Sequence, residues 1–130
     1  MLNQYERDRP GLPVFALNTD NVTLTGIAND YHFDEVFSKQ LRALGQSGDC
    51  LVVYTDGKKI SNIARAITVA HDKDITVIAL TGGASQPLSP LLKETDIEIH
   101  VGSDHGVYVQ ETQILITHCL CDLIDYQLFG

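Results

Sequence analysis

The run Thr55-Asp56-Gly57-Lys58-Lys59-Ile60-Ser61 is the stretch whose residue types and order most directly suggest chemistry. Before it stands Cys50 to Tyr54, entirely apolar or aromatic and mostly strand-favouring. After it, Ile60, Ile63, Ala64 and Ile67 recur at helical intervals. A polar turn between a buried strand and a helix is where α/β proteins hold anions, because the first free N–H groups of the helix point into the crevice. Phosphate is the usual guest. The same pattern equally fits one strand-to-helix connection among several, with no ligand. Asn18, Thr19 and Thr81 also stand at the carboxyl ends of apolar runs, where an open parallel sheet places its pocket.

These residues need a scaffold, and the chain spells out most of one. Tyr5 to Arg9 reads as the end of a helix broken by Pro10-Gly11. Pro13 to Leu17 reads as a short strand, closed by the polar turn Asn18 to Asn21. Val22 to Ala28 fits a short helix or an extended segment. Asn29-Asp30 is a cap-like pair before a helical stripe of Phe33, Val36, Phe37, Leu41 and Leu44, which Gly45 closes. The central strand, expected to be covered on both faces, and its helix follow, the helix ending near His71 to Asp74. Ile75 to Leu80 predicts a strand, and Ser89 to Lys93 at most a short helix. Ile97, Ile99 and Val101 alternate with Glu98 and His100, which predicts an edge strand with one wet face. From Val107 to Leu128 a long helix is apolar over more than one stripe, as expected of a helix packed on the sheet and on a second subunit. Strands alternating with helices predict a parallel sheet of four strands with right-handed crossovers.

With 130 residues and 44% hydrophobic content, the chain suits one domain, residues 1–130, around a single core. A formal net charge of −8 argues against direct DNA or RNA binding. No apolar run reaches the roughly 18 residues of a membrane helix, and no signal peptide opens the chain, so a cytoplasmic setting is expected. Cys50, Cys119 and Cys121 fit buried, reduced thiols rather than a disulfide framework. His32, His71, His100 and His105 show no ligand spacing and read as surface residues.

Several motifs in order resemble the sugar isomerase (SIS) domain, and more narrowly the bacterial phosphoheptose isomerase group. They are Leu17-Asn18-Thr19-Asp20-Asn21, Ile27-Ala28-Asn29-Asp30, Arg42-Ala43-Leu44-Gly45, Gly48-Asp49 and Cys119-Leu120-Cys121-Asp122-Leu123-Ile124-Asp125. The group includes a non-catalytic relative, the DnaA initiator-associating protein, toward which the runs around Asn18 and Cys119 lean. The resemblance implies a three-layer, flavodoxin-like α/β sandwich with a parallel sheet. It also implies further residues ahead of the position of Met1, carrying the first strand, its Gly-rich loop and a helix with metal or catalytic residues.

The resemblance gives the candidate residues roles. Family members place a Ser-Thr-Ser-Gly-Asn-Ser-like run at Thr55 to Ile60 to cradle a sugar phosphate. Thr55 keeps a hydroxyl, but Asp56 puts a carboxylate where a dianion sits, Lys58 replaces the glycine, and Ile60 replaces the last serine. Lys58, Lys59 and Ser61 still offer positive charge and a hydroxyl. Gln110 and His118 match an active-site glutamine and histidine of the isomerases, some of which use them to bind zinc. Histidine suits proton transfer between the two carbons of an aldose–ketose exchange. Eight residues of straight helix rise about 12 Å, so one ion reached by both needs a bend or generous rotamers. A solvated glutamine and a structural histidine are the plain alternative. Val107 and Tyr108 stand where the isomerases carry Asp and Arg. Asp30 matches a residue near the substrate and equally fits a helix cap.

The expected function is therefore a phosphosugar-binding SIS protein, assembled as a homotetramer. In intact relatives, sedoheptulose 7-phosphate is converted to a heptose 7-phosphate for lipopolysaccharide synthesis. The competing expectation is an adaptor that contacts a replication initiator protein. The chain by itself is expected to lack isomerase activity.

Overall fold

In a computed structural model, described for residues 1–83 and 88–130, the centre is a three-stranded parallel sheet in the order β1-β2-β3. β1 is Cys50–Tyr54, β2 is Thr76–Gly82 and β3 is Ile97–Val101. Val52 pairs with Ile78, which pairs with Ile97; Tyr54 pairs with Leu80, which pairs with Ile99. Four helices accompany the sheet: α1 (Asn21–Asp30), α2 (Ser38–Leu44), α3 (Ser61–Asp72) and α4 (Gly106–Phe129).

One sheet face carries the core. Leu51, Val53, Val77 and Ala79 meet Ala66, Ile67, Val69 and Ala70 of α3 and Leu41 of α2, and Leu88 is enclosed with them. α3 earns its place through the apolar stripe legible in its sequence. α2 docks against it through Leu41, preceded by a tight turn at Phe33–Glu35. The segment Phe33 to Leu44 is thus a turn plus a short helix, not one continuous helix. The other face carries α4, which completes three layers. Gly82 permits this contact: a Cβ there would lie 2.3 Å from a Val109 methyl carbon.

The ambiguous segment after Asn21 is helical. Asp20 caps it, accepting bonds from the Thr23 N–H and hydroxyl, and these bonds hold the Asp20 carboxyl below its ordinary range. Pro13 to Leu17 is not a strand. Among the described residues no strand pairs with it, and the Leu17 carbonyl is instead taken by the Gln40 side chain at 2.9 Å. Tyr5 to Arg9 is not helical either; Arg7 and Arg9 hold it against the far end of α4.

β1 is covered on one face only, with Cys50, Val52 and Tyr54 exposed. The polar face of β3 is not wet as the alternation suggested. Glu98 accepts from the hydroxyls of Thr81 and Ser89, each at 2.8 Å, while Ile97 on the opposite face is 52% exposed. The reason is the short turn Ser89–Leu91, preceded by the buried Leu88, which covers the side of the sheet that α4 does not reach.

Candidate functional site

Thr55 to Ile60 leaves the carboxyl end of β1 and runs into α3. The Thr55 hydroxyl accepts the Gly57 N–H at 2.9 Å, and the Asp56 carboxylate accepts the Lys58 N–H at 3.2 Å. The loop's own side chains thus satisfy two backbone donors that an anion would otherwise recruit. Lys58 Nζ lies 3.4 Å from the second Asp56 oxygen, in a solvent-exposed pair of small energetic value. Both groups stand beside Gly106, the first residue of α4. The loop therefore brings a carboxylate and an ammonium to the amino end of the long helix, and not to that of α3. The residue ahead of α3, Ile60, makes no side-chain cap. Gly83, at φ 92°, closes the other wall: a Cβ there would lie 2.7 Å from the Asp56 carbonyl oxygen.

Gln113 fixes this loop end, and sequence reasoning missed it. It is buried, and its side-chain amide donates to the carbonyls of Thr55 at 3.0 Å and Leu80 at 2.9 Å. One residue thereby ties α4 to the ends of two strands. The signal was there: Val109 and Gln113, four apart, share a helix face, and a glutamine among buried neighbours needs partners.

The remaining candidates disperse. The Ser61 hydroxyl donates to Asp34 at 2.5 Å, away from the loop. The Thr81 hydroxyl donates to Glu98 at 2.8 Å and lies 2.9 Å from His100 Nδ1, so it serves the joint between β2 and β3. His100 and His71 are accordingly not idle surface residues; His71 Nε2 lies 2.7 Å from an Asp96 carboxylate oxygen. Asn18 is exposed in the turn before α1, and the neighbouring Thr19 bonds back to the Ala16 carbonyl. Asp30 ends α1 instead of capping the next element. It lines an open cleft of about 500 Å³ with Tyr31, His32, Glu35, Lys39 and Arg42. Lys39 sits over the Tyr31 ring there at 3.6 Å, and Arg65 pairs with Glu35.

Gln110 and His118 are both exposed on α4, the histidine two turns beyond the glutamine. Among the described residues, no three His, Cys, Asp or Glu side chains cluster as metal ligands. Gln110 and His118 stand about 12 Å apart along the helix axis, and a zinc site needs further ligands beside them. The His118 ring instead faces Tyr5, with centroids 5.9 Å apart. Burial against the helix, reinforced by Asp122, raises the Tyr5 phenol above its ordinary pKa.

Comparison with known families places this arrangement. The SIS domain matches residues 1–82. This chain belongs to the SIS-domain family. It is 55% identical over 130 residues to the phosphoheptose isomerase of Methylococcus capsulatus, spanning all of this SIS chain and 67% of that protein. It is 51% identical to the phosphoheptose isomerase of Chromohalobacter salexigens, covering 66% of it. Among solved structures, a phosphoheptose isomerase from Francisella tularensis superposes with a TM-score of 0.84 at 44% identity, over 88% of this chain and 62% of that one. Phosphoheptose isomerase GmhA from Neisseria gonorrhoeae gives 0.83 at 45% identity, over 86% and 61%. The SIS chain thus spans about two thirds of the length of the relatives it matches.

Proposed function

We propose that this SIS chain is the sugar-phosphate-binding portion of a phosphoheptose isomerase, acting on sedoheptulose 7-phosphate in the cytoplasm as part of a homotetramer. The observation that carries the proposal is 55% identity to a phosphoheptose isomerase along the whole of this chain. In this reading the phosphate lies against Thr55, Lys58 and the amino end of α4. His118, about 18 Å along α4 from that end, moves the proton between the first two carbons of a sugar held at the loop of another copy in the tetramer, and Gln110 orients the hydroxyl groups. Ser61 and Thr81 stand outside that contact set because their hydroxyls bond Asp34 and Glu98, while Asp30 and Asn18 remain exposed candidates for substrate contact. Gln110 and His118 are the residues of this chain that would meet a zinc ion.

Calorimetric titration with sedoheptulose 7-phosphate tests the reading. Saturable binding that weakens in His118→Ala is expected; its absence in the parent protein would sink the assignment. The competing reading, an adaptor that contacts a replication initiator, rests only on the resemblance of the runs around Asn18 and Cys119 to the initiator-associating protein. That reading gains if the parent binds a DnaA-type initiator and no sugar phosphate.

A further inference from the structure

The segment Met1 to Leu12 closes on itself and then on α4. Its ends meet where the Leu12 N–H donates to the Met1 carbonyl at 3.3 Å. Arg9 fastens the loop: Nη1 donates to the carbonyls of Met1 at 2.8 Å and Pro10 at 2.9 Å, and Nε donates to Asp125 at 2.8 Å. The Arg9 and Asp125 side chains are only 2% and 6% exposed, so this ion pair is sealed from water. Arg9 also lies over the Phe129 ring at 5.7 Å, and Arg7 donates to the carbonyls of Gly130 and Phe129. These carbonyls form the negative end of the α4 macrodipole, so two guanidinium groups suit that position. The same loop carries Tyr5 to His118, with ring centroids 5.9 Å apart and an interplanar angle of 32°. That separation falls within the range of attractive aromatic pairs.

We infer that Tyr5 is a positioning residue for His118, and that the buried Arg9–Asp125 pair holds it there. The ring of Tyr5 limits the rotamers of an otherwise exposed imidazole and leaves one side of it free for a ligand. Asp125 stands seven residues beyond His118, about 10 Å along the helix, so the anchor acts on His118 only through the loop. The inference rests on the reading of His118 as a sugar-phosphate-site residue, and the test separates the two.

The test combines proton resonances of the histidine rings with calorimetry on the same proteins. In the parent, a Tyr5–His118 ring contact appears as a nuclear Overhauser effect. Tyr5→Leu abolishes it and moves the His118 ring protons toward free imidazole, while Tyr5→Phe keeps both. Arg9→Lys and Asp125→Asn reproduce the Tyr5→Leu displacement, with His32 and His105 unmoved as controls. Tyr5→Leu weakens sedoheptulose 7-phosphate binding by about threefold to tenfold, and Tyr5→Phe restores it. No ring contact in the parent, or parental affinity in Tyr5→Leu while His118→Ala is weakened, overturns the positioning role. Parental affinity in His118→Ala, or no binding by the parent, overturns the reading of His118 and the positioning role with it, whatever the ring contact shows.

Discussion

At the scale of single residues, the loop after β1 is decided by competition for a few donors and one charge. Asp56 holds the Lys58 N–H and stands beside the Lys58 ammonium. A carboxylate near a bound phosphate costs on the order of 1 to 4 kcal/mol at the dielectric of a protein surface. Asp56→Ser is therefore expected to tighten sugar-phosphate binding by roughly tenfold. Lys58→Gly should leave residual binding, because the α4 amino end and Thr55 remain. Isothermal titration of both variants decides this, and equal affinity in Asp56→Ser and parent would show that the carboxylate does not face the ligand. Gln113 is the opposite case, a polar group whose worth lies in two buried carbonyls. Gln113→Leu keeps the volume but leaves the Thr55 oxygen unpaired and the Leu80 oxygen with only the Thr55 N–H. A loss of about 1 to 3 kcal/mol is expected in urea unfolding.

Elements are held together here by close approaches and by side chains that reach across. Gly82→Ala would push a methyl group into Val109, a stiff β-branched residue on α4. Overpacking of that kind costs about 1 to 3 kcal/mol, and α4 should loosen first. Hydrogen exchange on α4 amides checks this, with unchanged protection counting against the contact. β3 is pinned through Asp96, which accepts from the Val77 and Lys93 N–H groups and meets His71. Burial alone would raise the Asp96 carboxyl, but these hydrogen bonds outweigh it and hold the group below its ordinary range. A folded-state pKa below the unfolded value contributes stability above the unfolded pKa, near 3.9 for Asp, and loses it as pH falls through the folded value. Thermal melts should therefore show the parent well above Asp96→Asn at neutral pH, with the gap closing below about pH 4. A gap that persists into strong acid would mean that Asp96 acts through shape, not charge.

For the whole molecule, the decisive feature is what α4 leaves uncovered. Val107, Tyr108, Ile114, Leu115, Leu123 and Tyr126 are each more than half exposed, with Tyr126 at 73%. So much apolar surface on one helix is what an interaction face would present. We expect sedimentation to give a tetramer, and Leu115→Glu with Leu123→Glu to give a smaller species. A stable monomer of the parent at micromolar concentration would rule this out. Among the described residues, no helix is long and apolar enough to cross a membrane.

The sequence by itself determined the order of elements from Cys50 onward, the parallel arrangement and the place of the loop. Those features follow from local periodicity and from turn residues standing between runs, information that lies within a few positions of each residue. The family motifs carried recognition further than periodicity could, because they record tertiary constraints as residue types. Only the tertiary structure decided where side chains end. It turned Thr81 toward β3, Ser61 toward Asp34 and Gln113 toward two strand ends. It also denied Pro13 to Leu17 a ladder, because a strand exists only with a neighbour to bond. Arg9 and Asp125 lie 116 positions apart, and nothing local to either residue announces the other. Their pairing, and with it the seat of Tyr5 against His118, exists because the folded chain places residues 1–12 on the carboxyl end of α4.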